Sequence, residues 1–181
     1  MDILAHALWA GAGTAYAARR IPISRPAAIA TVALAVLPDV VQMLPLIPWA
    51  VAGGGTLAQL HAFALAVPGQ EPALPPLVAL FSHHLHCIMH SAVVAAIVTL
   101  LLWLPRRRFW IPLAGWWSHI VIDVFTHSAD YYAVPVLYPF SERGFDGLAW
   151  NTPWFLALNY VALAVTILWL ALTRRRSKRR P

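Results

Sequence analysis

The stretch from Trp116 to His127 reads W-W-S-H-I-V-I-D-V-F-T-H and sets three ionisable groups into an otherwise apolar run. His119, Asp123 and His127 follow at i, i+4 and i+8, which on a helix of about 3.6 residues per turn stacks them on one face roughly 6 Å apart. Imidazole and carboxylate at that spacing are what helices use to hold a divalent cation. A single histidine in such a run reads as packing between helices. Three ligand-type side chains on one stripe in lipid read as a site, because each is costly there without a partner. The same residue types recur upstream: His6 close to Met1, Asp39 in Leu37-Pro38-Asp39, and H-H-L-H-C-I-M-H from His83 to His90.

These groups sit in a chain whose composition points to a membrane. Of its 181 residues 60% are hydrophobic and 11% charged, with a mean hydropathy of +0.66, a balance foreign to a water-soluble globule of this length. Length alone gives one domain. The formal net charge of +6 would suit nucleic acid, but the basic residues gather at the ends of apolar segments and at the tail, which is topology rather than a groove for phosphates. Cys87 is the one cysteine, so no intramolecular disulfide forms, and its apolar setting reads as packing. Met1-Asp2 supplies no positive region ahead of the first apolar stretch, which is therefore expected to stay as a helix rather than be cleaved as a signal peptide.

Five apolar segments predict an all-α bundle of about five transmembrane helices: Ile3 to Ala18, Ala27 to Trp49, Leu77 to Leu104, Phe109 to Phe125 and Pro153 to Leu172. Pro38, Pro45 and Pro48 should kink or end the second. Leu57 to Val67 is too short to span and reads as interfacial or re-entrant, with His61 at headgroup level. An N-terminus outside puts Arg19, Arg20, Arg25, Arg106 to Arg108 and the tail from Arg174 to Arg180 on the cytoplasmic side, the tail resting on anionic headgroups. Asp2, Glu71, Asp130, Glu142 and Asp146 then fall outside with Arg143. At a rise of about 1.5 Å per residue, His6, Asp39, His90 and Asp123 all come out roughly 18 to 21 Å above the cytoplasmic ends of their helices. His119 falls about one turn lower, and His86 and His127 about one turn higher. Four helices deliver ligand-type residues to one level in the outer half of the membrane.

An ionised carboxylate at that depth costs several kcal/mol unless it is paired or bound to metal, and these spans hold no Arg or Lys to pair it. The candidate metal ligands are His6, Asp39, His86, His90, His119, Asp123 and His127, with Asp123 and His119 central to catalysis. Histidine and aspartate without thiolate suit zinc, manganese or iron; zinc is the expectation, as one or two ions. A metal with an open coordination position lowers the pKa of bound water to about 7, and hydrolysis is the reaction class that follows. The loop from His127 to Thr152 should form the mouth, with Tyr138, Trp150 and Trp154 at interface depth. Tyr138 and Arg143 are the substrate-binding candidates, although Arg143 could equally pair with Glu142 or Asp146. Ser91 and Ser118 neighbour ligands and are not expected to be nucleophiles. The substrate expected is a phosphoester-bearing lipid or other amphiphile entering from the outer leaflet. The competing class is a divalent-metal or proton transporter, which needs polar residues continuing to the cytoplasmic face, where the segments are apolar until the arginines. Haem ligation by paired histidines would leave Asp39 and Asp123 unexplained.

The order of a histidine near Met1, L-P-D in the second segment, H-S after a His-rich run, S-H-x-x-x-D-x-x-T-H and a Y-P-F-S loop resembles the LexA-regulated, membrane-bound metal-dependent hydrolases of the bacterial inner membrane. The resemblance spans nearly the whole chain and implies His6, Asp39, His90, His119, Asp123 and His127 as the polar core. Members often carry Arg where this chain has His86, which takes away their usual anionic-group contact and adds a candidate ligand. More distantly the order is similar to the zinc-dependent phospholipase C and nuclease fold. That likeness implies one metal among Asp39, His90, His119 and Asp123 and a second shared by His6 and Asp123. The later H-x-x-x-E helix of those enzymes has no counterpart in the fifth segment, so a three-metal site is not expected.

Overall fold

The computed structural model describes residues 1–64 and 66–178, with side chains as far as Arg174. Every named element is a helix: α1 (Ile3–Ala17), α2 (Arg25–Val41), α3 (Leu46–Val51), α4 (Leu57–Ala64), α5 (Pro76–Met89), α6 (Ala92–Arg106), α7 (Leu113–Thr126) and α8 (Pro153–Lys178). The starts are written in the sequence. Asp2 caps α1 by accepting from Ala5 N at 2.9 Å, Ser24 caps α2 ahead of Pro26, and Ser91 caps α6. Each side-chain oxygen satisfies an amide that the helix itself leaves unpaired. α5 opens at Pro75-Pro76, where a missing N–H costs nothing.

α7 packs on α2, α6 and α1. Its approach to α2 is set by Gly115: a Cβ there would lie 1.9 Å from the carbonyl oxygen of Thr31. Only a residue without a side chain lets the two backbones meet so closely. α1 is tied to α8 by Trp9 Nε1, which donates to Asn159 Oδ1 at 2.9 Å, and by Tyr160 Oη, which donates to Asp2 Oδ1 at 2.8 Å. At the other end of that pair Arg19 donates to the Leu170 carbonyl at 3.0 Å. Asn159, a polar interruption in an apolar segment, thereby has its Oδ1 paired, while its buried Nδ2 has no hydrogen-bond partner among the described residues.

Among the described residues one helix is long and apolar enough to cross a membrane, α8 over Pro153–Arg174 with mean hydropathy 2.2. At a rise of 1.5 Å per residue it is about 33 Å long, enough for a core of about 30 Å. α5 and α6 pass the same test only together, as one segment bent by 62°. Ile29, Leu101, Phe125 and Val165 are each at least 60% exposed on the periphery, as lipid-facing side chains would be.

Three expectations need correction. The segment from Leu77 to Leu104 is not one rod: it breaks at His90-Ser91, where the hydroxyl of Ser91 caps the new helix and also donates to the Tyr138 carbonyl at 2.6 Å. The segment from Ala27 to Trp49 ends as α2 at Val41, three residues beyond Pro38, and resumes as the short α3. α7 begins at Leu113 rather than Phe109, after a turn closed by Leu113 N on the Trp110 carbonyl at 3.0 Å. The short Leu57 stretch is the eight-residue α4. Of the basic tail, the side chains of Arg175, Arg176 and Lys178 and all of Arg179 and Arg180 lie outside the described residues.

Candidate metal centre

Four donors from three parts of the chain converge beside α7. Asp39 comes from the last turn of α2, His90 from the break between α5 and α6, and His119 and Asp123 from successive turns of α7. Their donor atoms all lie within 4.8 Å of one another. His90, His119 and Asp123 are buried, and Asp39 is half-buried at the edge.

The two imidazoles are oriented from behind. His119 Nδ1 donates to the Ala35 carbonyl at 2.8 Å and His90 Nδ1 to the His86 carbonyl at 2.8 Å. A carbonyl oxygen only accepts, so both Nδ1 atoms carry the proton and, in the neutral rings, both Nε2 atoms are bare lone pairs. Those lone pairs face each other at 3.0 Å, with Asp123 Oδ2 at 3.1 Å from one and 3.5 Å from the other. Asp39 Oδ1 stands 3.7 Å from His90 Nε2 and 3.8 Å from His119 Nε2. Electron pairs thus converge on one point, an arrangement that repels itself until a proton or a cation enters.

The spacing fits a metal. Ligands at 2.0 to 2.1 Å from a tetrahedral zinc stand about 3.3 to 3.4 Å apart. The five separations above run from 3.0 to 3.8 Å and bracket that value. Asp39 Oδ2 and Asp123 Oδ2 are buried without a hydrogen-bond partner. The backbone carbonyls behind both rings are the outer contacts that fix tautomer and direction in histidine metal sites.

The other expected ligands stand around this group. His6 Nε2 meets the second oxygen of Asp123, Oδ1, at 2.9 Å, and the His6 ring stacks on His119 at 3.9 Å. The Met1 amino group also reaches Asp123 Oδ1, a contact not foreseen from the sequence. His127 does not continue the helical stripe: it is the C-cap of α7, with extended backbone at φ −118° and ψ 144°. Its Nδ1 donates to the Asp123 carbonyl at 3.1 Å and lies 3.7 Å from Asp123 Oδ1. His86 is outside the four-donor group, paired with Gln42 Oε1 at 3.1 Å and tilted by 32° against His90 at 4.1 Å. Gln42 is a polar interruption of the second apolar segment, but an amide near a carboxylate carries no spacing signal that would mark it as part of a site. Asp123 therefore presents one oxygen to His90 and His119 and the other to His6 and His127.

A cavity of about 730 Å³ opens above the group. Asp39, His86, His90 and His127 form its polar floor, while Ile3, Leu4, Met43, Phe63 and Leu74 form an apolar wall. Neither expected substrate residue lines it. Tyr138 is turned away, with its hydroxyl 3.1 Å from His84 Nδ1, and Arg143 is exposed on the loop. Among the described residues Arg143 makes no ion pair, since Glu142 faces His83 at 3.6 Å and Asp146 accepts from Ala129 N at 2.8 Å. Glu71 and Tyr132 line the cavity instead, and the Tyr132 hydroxyl donates to Glu71 Oε1 at 2.6 Å. That bond holds the Glu71 carboxyl below its usual range, and burial together with the same bond raises the Tyr132 hydroxyl.

Neither the curated proteins nor the solved structures contain a match to this chain. A family model does match, over residues 1–180, and its description names a membrane location without an activity. With one helix long and apolar enough to cross a membrane among the described residues and that match over residues 1–180, the chain belongs to the YdjM inner membrane protein family.

Proposed function

We propose that the protein is a membrane-embedded, metal-dependent hydrolase that cleaves a phosphoester in a lipid or other amphiphile. The observation that carries this reading is the convergence of Asp39, His90, His119 and Asp123 as bare electron-pair donors under a cavity with one apolar wall. The cofactor proposed is a divalent metal, zinc by the chemistry of the donors, as one or two ions. When bound, such an ion acidifies water to a pKa of about 7 and polarises a phosphoryl oxygen. His119 and His90 hold their donor atoms on target through the Ala35 and His86 carbonyls. Asp123 joins this group to His6, with which it would share a second ion. Ile3 and Leu4, 46% and 57% exposed, line the cavity and also face the periphery, so an acyl chain can lie against them while its headgroup reaches the floor.

In the arrangement proposed, five segments cross the bacterial inner membrane with the N-terminus outside. The fourth is α7, and the bent pair α5–α6 counts as one. The cavity then faces the extracytoplasmic side.

The test is metal content together with phosphate release from lipid substrates, for the wild type and for Asp123→Ala and His119→Ala. Stoichiometric metal in the wild type, lost in both variants together with hydrolysis, is the expected result. Stoichiometric metal that survives both substitutions refutes the assignment, and metal flux into proteoliposomes without hydrolysis would transfer it to transport.

A further inference from the structure

Apart from the Met1 ammonium, which is paired with Asp123, the cavity's charged lining is acidic. Its floor needs an anion on a metal, yet among the described residues lining it there is no Arg or Lys, and Asp2 and Glu71 line it as well. A purely anionic headgroup would meet two carboxylates there. The aromatic residues beside them form a corner: Tyr131 stands edge-to-face with Tyr132 at 5.3 Å and 74°, and with Trp150 at 6.1 Å and 79°. Ring faces at right angles next to a carboxylate are how proteins hold an ammonium group, through the negative face of each ring. Glu71 has one hydrogen bond on each oxygen, from Tyr132 Oη at 2.6 Å and Gly69 N at 2.8 Å, so acceptor capacity remains on both. Tyr132 is fixed in the left-handed region at φ 50°, a conformation costly for a non-glycine residue, and it points the hydroxyl at Glu71. His127 of the floor joins this corner, its ring stacked on Tyr131 at 6.2 Å and 17°.

We infer that the cavity selects a zwitterionic aminophospholipid headgroup, with the ammonium in the corner formed by Tyr131, Tyr132, Trp150 and Glu71 and the phosphate over His90 and His127. A phosphate and an ammonium separated by a two-carbon linker place opposite charges where the cavity has opposite demands. This rests on the hydrolase reading only for the phosphate end.

The experiment uses the purified full chain in non-ionic detergent, stripped of metal so that no turnover occurs, titrated with dihexanoyl phosphatidylcholine, phosphatidylethanolamine and phosphatidylglycerol and followed by calorimetry. The two amine lipids should bind about tenfold tighter than the glycerol lipid, a ratio in keeping with one desolvated ammonium on aromatic faces. Glu71→Gln and Tyr131→Leu should each shrink that ratio several-fold while leaving the glycerol lipid unchanged. Equal or reversed affinities in the wild type overturn the inference, as does a ratio that survives both substitutions. Should Tyr131→Leu fail to fold, Glu71→Gln at the exposed rim carries the test alone. With zinc restored, amine selectivity without product would refute hydrolysis and leave the headgroup inference standing. Hydrolysis that prefers the glycerol lipid would do the opposite.

Discussion

Gly115→Ala is the most informative single change, because one methyl group tests whether the α2–α7 contact positions the centre. The added Cβ would lie 1.9 Å from the Thr31 carbonyl oxygen, 2.8 Å from the Thr31 carbonyl carbon and 3.0 Å from Ala35 N, all backbone atoms that no rotamer change can move aside. Real Cβ contacts start near 3.0 Å, so α2 and α7 must separate by about 1.1 Å at this level. The His119 Nδ1 to Ala35 carbonyl bond, at 2.8 Å, spans the same gap one turn further along α7 and would stretch beyond bonding distance. Overpacking of this kind costs about 1–3 kcal/mol, and the lost hydrogen bond about another 1 kcal/mol. Helix propensity acts the other way, since alanine favours a helix over glycine by about 1 kcal/mol, so steric separation wins and the variant is less stable. The metal effect should be larger than the stability effect, because ligand distances tolerate only about 0.2 Å and loss of a supporting contact weakens metal affinity by about 10- to 100-fold. The assay is zinc affinity by competition with a chromophoric chelator, alongside thermal unfolding in detergent. Gly13→Ala is the control: its Cβ meets nothing within 4 Å, and it should bind zinc as the wild type does. Zinc binding in Gly115→Ala equal to that in Gly13→Ala would refute the claim that this close approach sets the site.

Other changes separate the parts of the site. His90→Ala removes one of the two facing imidazoles and should reduce the zinc bound by Asp39, His119 and Asp123 at least tenfold, measured by the same competition. His86→Ala removes a ring held by Gln42 outside the four-donor group and should leave zinc stoichiometry intact, in contrast to His90→Ala. Ser91→Ala takes away both the α6 cap and the bond to the Tyr138 carbonyl, and should cost about 1–2 kcal/mol in chemical unfolding without changing stoichiometry. For the topology, cysteine placed at the exposed Phe140 should label from the extracytoplasmic side with a membrane-impermeant maleimide, and cysteine at Arg107 should not. Labelling of Arg107→Cys in intact cells would overturn the proposed orientation.

The sequence by itself determined that the chain is helical and apolar and which residues could ligate a metal. Asp39, His90, His119 and Asp123 could be named because carboxylates and imidazoles are costly in lipid and a stripe of them on one helix has few other meanings. A shared level for His6, Asp39, His90 and Asp123, with His119 about one turn lower, follows from the constant rise of a helix per residue. The tertiary structure decided the rest. It put His127 on a C-cap and broke the long third segment at His90, because the Ser91 hydroxyl accepts from the Val94 amide and the Val136 carbonyl from the Ala92 amide, the groups freed there. It also turned Tyr138 toward His84 and lined the cavity with Glu71 and Tyr132 rather than with Tyr138 or Arg143. Periodicity records how residues repeat along one helix; which oxygen meets which nitrogen depends on how closely two backbones approach, and here that distance is set by Gly115, a residue with no side chain to signal it.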